Sequence, residues 1–296
     1  GEVSMTLPDT FVQELLEILE PLCTGAGAVE LKLLRPSVGK TDRVAYVVPS
    51  ARPFAAAMWS ALTAASIADD QLRSQQAREA PPGKGACARF KIAARWFRAL
   101  LQGGLEAPFP LQRRVLAQGP AKTAPHEGWT IAFDASPWGG GAVLLASSTP
   151  HYWTEWVWTA EDVAKATSQD GGRVKYAIGA SDGQTYWELL TAALAVCTWG
   201  DWFSKEAVLV VGDNTGALQN LLDLKGQGAL VHIARELAWR KECRRWQLRV
   251  GHLPKEQNVW ADALSRLAEP RQPQGWPAEL RACQRVHVNT AELWKL

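Results

Sequence analysis

The feature that most limits how this chain can fold is a change of rhythm at Trp129. Three strand-like runs follow it before any helix: Trp129–Phe133, Ala142–Ala146 and His151–Thr159, the last alternating Tyr or Trp with polar residues. Short apolar runs and period-two alternation favour extended backbone. Gly139-Gly140-Gly141 reads as the turn between the first two. Ala160–Thr185 is polar, contains glycines and has no strong period, so it is expected to be an inserted loop with a short helix at its start. Beyond it, elements alternate. Tyr186–Trp202, Asn214–Leu224, Ala229–Cys243 and Asn258–Leu267 carry helical spacing, whereas Ala207–Val211 and Trp246–Val250 read as strands. A hairpin sheet followed by alternating strands and helices predicts an α/β fold: a mixed five-stranded sheet flanked by helices.

The part before Trp129 has a different character. Thr10–Leu22 places Phe11, Leu15, Leu16, Ile18 and Leu19 at helical spacing and stops near Pro21 and Gly25. Phe54–Ile67 and Ala86–Leu101 are further helices, separated by Pro81-Pro82-Gly83. Glycines and prolines crowd Gln102–Gly128. The expected organisation is a mainly helical segment over 1–118, a linker over 119–128, an α/β domain over 129–268 and a linker-like tail over 269–296.

Composition removes several classes. A net charge of only +2 excludes a histone-like binder. No apolar run approaches the roughly 20 residues of a membrane span, and the N-terminus lacks the pattern of a secretory signal. Five scattered cysteines without a CxxC pair suit a reducing compartment. An intracellular location, cytoplasmic or nuclear, is expected, with no membrane partner.

Four acids carry the chemistry. Asp134 and Asp213 each follow an apolar strand, Glu188 lies in the first turn of a helix, and Asp262 lies early in the last one. Open α/β sheets gather ligands at the carboxyl ends of strands. Alone, each acid reads as a turn or cap residue, as Asp213-Asn214 before a helix does. Together they would repel one another unless a divalent cation neutralised them. Oxygen-only ligation favours Mg²⁺ or Mn²⁺, and a pair of such ions suits phosphodiester displacement.

Four segments, WTIAFDASPWGGGAVLL (129–145), YWELLTAALAVCTW (186–199), VLVVGDNTGALQNLL (208–222) and GHLPKEQNVWADALSRL (251–267), resemble the type 1 ribonuclease H domain of LTR- and DIRS-like retroelement reverse transcriptases. The last has the family's H-x5-N-x3-D pattern as His252, Asn258 and Asp262. The resemblance implies Asp134, Glu188, Asp213 and Asp262 as ligands to two Mg²⁺ ions, with Mn²⁺ as a substitute. It implies His252 as a mobile loop residue that helps transfer a proton or release product, and Ser136, Asn214 and Asn258 as supporting hydrogen-bonders near the substrate backbone. The implied activity is hydrolysis of the RNA strand of an RNA/DNA hybrid. A weaker resemblance covers SVGKTDRVAYVVPSARPFAAAMWSALT (37–63), which is similar to the thumb or connection region of DIRS-type reverse transcriptases. It implies an upstream polymerase domain as partner. No aromatic-x-Asp-Asp signature occurs, and Ala68-Asp69-Asp70 is expected on a helix.

The chain departs from the family in two places. The interval from Asp134 to Glu188 is lengthened by Ala160–Thr185. The basic protrusion that some members use is missing, because only Lys225–Gly228 separates two helices. Phosphate contacts then fall to Arg235, Arg240, Lys241, Arg244 and Arg245, or to the basic helix Arg89–Arg98. Integrases and transposases place their glutamate last, and proofreading exonucleases begin with Asp-x-Glu; neither order is present. The alternative is a catalytically degenerate ribonuclease H-fold that binds nucleic acid or acts as a scaffold.

Overall fold

The computed structural model describes residues 2–66, 84–103, 111–116, 128–203, 207–244, 246–270, 277–287 and 293. Ala68-Asp69-Asp70, Pro81-Pro82-Gly83, residues 119–127 of the expected linker and Arg245 lie outside them. The chain divides into two compact units, residues 1–120 and 121–296. Among the described residues no helix is long and apolar enough to cross a membrane.

The first unit is mainly helical. Helices α1 (Asp9–Thr24), α2 (Leu31–Val47), α3 (Arg52–Ser66) and α4 (Cys87–Leu101) each turn an apolar stripe inward. Leu15, Leu19 and Leu22 of α1, Phe54 and Met58 of α3 and Phe90, Phe97 and Leu100 of α4 are fully buried. Phe54 stacks on Trp96 with ring centroids 4.1 Å apart. Two small antiparallel pairs complete the unit. Strand β1 (Glu2–Thr6) lies beside β4 (Gln112–Leu116), within the glycine- and proline-rich stretch, and β2 (Ala28–Glu30) lies beside β3 (Lys84–Ala86).

The second unit contains a mixed sheet flanked by helices, the expected fold class. Its strands are β5 (Trp129–Ala135), β6 (Gly139–Ala146), β7 (Thr149–Val157), β8 (Ala207–Gly212), β9 (Gln247–His252) and β10 (Gln284–Arg285). They lie in the order β10-β7-β6-β5-β8-β9. The pairs β5–β6 and β6–β7 are antiparallel, whereas β8 runs parallel to both β5 and β9. Helices α5 (Ala160–Asp170), α6 (Gln184–Trp199), α7 (Thr215–Asp223), α8 (Leu230–Arg244) and α9 (Val259–Ser265) follow in the chain.

Within the second unit the structure differs from the sequence reading at three places. Gly139, Gly140 and Gly141 are not a turn but the start of β6. A Cβ on Gly140 would lie 2.3 Å from Thr191 Oγ1 of α6, and one on Gly141 would lie 2.4 Å from Leu264 Cβ of α9. Successive strand residues face opposite sides, so these two glycines admit one helix on each face of the sheet.

The inserted segment begins with a full helix. Thr159 and Asp162 form a reciprocal capping box at the start of α5, and Gly171 closes it in the left-handed conformation. The loop that follows is anchored. Asp170, buried, accepts hydrogen bonds from the backbone N–H groups of Val174 (2.6 Å) and Ala229 (3.4 Å).

The tail was expected to be a linker, and the sheet to have five strands. Instead, residues 278–282 form a 3₁₀ turn, and β10 adds a sixth strand parallel to β7. Leu280 is buried with Ala132, Val143, Leu145, Trp153, Val211 and Leu264. Arg285 pairs with Glu155 and lies over the Trp153 ring. One buried leucine among prolines shows no period, so the tail's packing has no signature in the sequence.

Candidate active site

The site lies where two parallel strands end. Ala132 of β5 is in register with Val211 of β8, so Asp134 and Asp213 emerge side by side. Glu188 reaches them from the second turn of α6. One carboxylate oxygen from each of Asp134, Glu188 and Asp213 lies within 4.8 Å of the others. These acids line a cleft of about 390 Å³ together with Ser136, Ser181, Gln184, Asn214, Lys255, Asp262 and Arg266.

The cluster is electrostatically unfavourable without a cation. Asp134 is 4% exposed, and burial pushes its carboxyl up to about 7, with the charges of Asp262 and Asp213 adding to the rise. A hydrogen bond from Ser265 opposes it. Burial, and then the Asp134 charge, raise the Glu188 carboxyl well above the ordinary carboxylate range. Gln184 donates to Glu188 Oε1 at 3.1 Å and to the Ala135 carbonyl at 2.5 Å. The other oxygen, Glu188 Oε2, is buried without a hydrogen-bond partner. A buried acceptor left open beside two further carboxylates fits a hard cation.

The remaining expected site residues are placed as follows. Asp262 lines the cleft but stands outside the group of three, its Oδ1 held by Arg266 Nε at 3.0 Å. Asn214 lines the cleft and caps α7, with its Oδ1 accepting from Ala217 N–H at 2.9 Å. Ser136 and Asn258, expected to contact substrate, have partners inside the protein. Ser136 donates to the Ser265 carbonyl at 2.6 Å, and Asn258 Nδ2 donates to the Phe133 carbonyl at 2.8 Å. Their effect is to tie α9 and the loop before it to β5.

His252 is exposed at the end of β9, paired in register with Gly212, and is not among the residues lining the cleft. Arg240 and Arg244, expected to contact phosphates, do not line it either. Arg240 Nε donates to the buried Glu236 at 2.7 Å, and Arg244 lies 3.9 Å from Asp201.

Sequence reasoning missed Gln184, Lys255, Ser265 and Arg266. The Asp262–Arg266 pair had a legible signal, since opposite charges four apart on a helix are neighbours. Gln184 was hidden because α6 starts two residues earlier than its apolar pattern.

Neither family models nor curated proteins give a match to the chain. Among solved structures, a ribonuclease H1 from the halophilic archaeon Halobacterium salinarum NRC-1 is similar at 17% identity, with a TM-score of 0.34. That match covers 47% of this chain and 96% of the other. A foamy viral protease-reverse transcriptase dRH in complex with double-stranded DNA is similar at 13% identity, with a TM-score of 0.28. It covers 84% of this chain, which spans 36% of that protein.

Proposed function

We propose that the second unit is a ribonuclease H-type endonuclease that hydrolyses the RNA strand of RNA/DNA hybrids. The observation that carries this reading is the convergence of Asp134, Glu188 and Asp213 at the ends of β5 and β8, with Glu188 Oε2 open. In this reading the three acids hold Mg²⁺, or Mn²⁺ in its place, and Asp262 completes the set at the edge of the cleft. When bound, a pair of such ions supplies an activated water and stabilises the departing 3′ oxygen.

The chain's own residues then have separable tasks. Gln184 fixes the Glu188 carboxylate, and Ser265 fixes that of Asp134. Lys255 brings a positive charge to the cleft for the substrate phosphates. For His252, exposed beside Gly212 and outside the lining of the cleft, to carry protons between the leaving group and solvent, its loop must swing toward the bound hybrid. Hybrid is distinguished from other duplexes by its 2′-hydroxyls and groove shape rather than by base sequence. The first unit belongs, on this view, to the thumb or connection of a retroelement reverse transcriptase, with a polymerase domain as its upstream partner.

The test is cleavage of labelled RNA/DNA hybrid against matched RNA and DNA duplexes, with and without Mg²⁺. The expected result is Mg²⁺-dependent scission of the RNA strand alone, abolished in Asp213→Asn. Hybrid binding without scission under every metal condition would overturn the reading in favour of a degenerate scaffold.

A further inference from the structure

The acid at the edge of the cleft already has a cation. Arg266 Nε lies 3.0 Å from Asp262 Oδ1, and Arg266 Nη1 lies 3.2 Å from Glu269 Oε2. The pairs are sheltered: the Arg266, Asp262 and Glu269 side chains are 22%, 16% and 13% exposed. Arg266 lines the same cleft as Asp134, Glu188 and Asp213, whereas Asp262 is left out of their convergence. Charge-assisted hydrogen bonds of this length are strong when partly desolvated. An oxygen that accepts from a guanidinium is a poorer donor to any second cation, and the guanidinium's charge repels that cation directly.

The geometry points to Arg266 as a positioning residue, an internal counter-cation that holds Asp262 back from the metal cluster and sets the affinity of the weaker metal position. Glu269 is its second partner. When Asp262 turns toward a bound ion, Arg266 keeps one carboxylate and is not left as an unpaired charge. The first three acids therefore bind without rearrangement, and the position that uses Asp262 fills at the cost of an ion pair. The inference rests on the metal-binding reading above.

Calorimetric titration of Mn²⁺ into the full chain tests it, with thermal melts to report folding. Arg266→Gln is expected to tighten the weaker binding event by about tenfold, and Glu269→Gln to weaken it, because Arg266 then relies on Asp262 alone. In an Asp262→Asn background the gain from Arg266→Gln should shrink to what the lost direct repulsion alone supplies; an undiminished tenfold gain would mean that the arginine does not act through Asp262 and would overturn the inference. Arg266→Met, close in length, replaces the glutamine variant if that one melts early. Unchanged Mn²⁺ affinity in a folded Arg266 variant overturns the inference and leaves the metal reading standing. Absence of Mn²⁺ binding by the wild-type chain removes the metal reading itself.

Discussion

Ser265 donates a hydrogen bond of 2.6 Å to Oδ2 of Asp134, joining the end of α9 to the end of β5 across 131 residues of sequence. The bond stabilises the charged form of a carboxyl that burial drives toward neutrality. Ser265→Ala should therefore raise the Asp134 pKa further and weaken metal binding. It should also cost about 1 kcal/mol of stability. Melting temperature and hybrid cleavage, read together, check this; a variant equal to wild type in both would refute it.

Stability of the metal-free chain should fall as pH rises. The folded Asp134 carboxyl titrates at about 7, against roughly 3.9 in an unfolded chain. Between those values the folded state holds a proton that the unfolded state has lost. The contribution is fully present below about pH 4 and disappears as pH rises through 7. Its size is on the order of 4 kcal/mol at most. Melts in a chelator at pH 5 and pH 8 should show the decline, Asp134→Asn should flatten it, and Mg²⁺ should recover stability mainly at the higher pH.

Gly141→Ala is expected to be far more damaging than an ordinary glycine substitution. The added methyl would meet Leu264 Cβ at 2.4 Å, Ser265 N at 2.7 Å and the Ala261 carbonyl at 2.8 Å, so α9 must move outward. A loss of about 3 kcal/mol in denaturant unfolding is expected. Because Ser265 and Asp262 travel with that helix, cleavage should fall as well. A loss below about 1 kcal/mol would show that the helix yields easily.

The tail should behave as part of the second unit. Leu280 is 1% exposed within the cluster of Ala132, Val143, Trp153 and Leu264. Leu280→Ala should cost about 3 kcal/mol, measured by urea unfolding. An unchanged midpoint would mean that the tail merely rests on the sheet.

The acids were legible because an apolar strand that stops at an aspartate marks itself: Phe133 before Asp134 and Val211-Gly212 before Asp213. Glu188 was legible from the helix around it. What supports them was not, because support depends on contacts between distant residues. Ser265 gives no local sign that it faces Asp134, and nothing near Asn258 says that its amide will hold the Phe133 carbonyl. Gly139–Gly141 misled for a physical reason: a glycine run serves equally a turn and a close approach of helices, and only the partners Thr191 and Leu264 decide between them. The Asp262–Arg266 spacing was visible, yet spacing alone does not reveal that the arginine faces the cleft.

The buried Asp170 also bears on how a substrate reaches the acids. By gripping the backbone at Val174 and Ala229, it fastens the inserted segment to the beginning of α8, where Gly228 leaves no room for a side chain. Ser181 and Gln184, which border the cleft, follow in the same segment a few residues after the anchored Val174. On the proposed reading, a duplex entering the cleft meets Ser181 and Gln184 on a segment whose backbone is already tied to the start of α8.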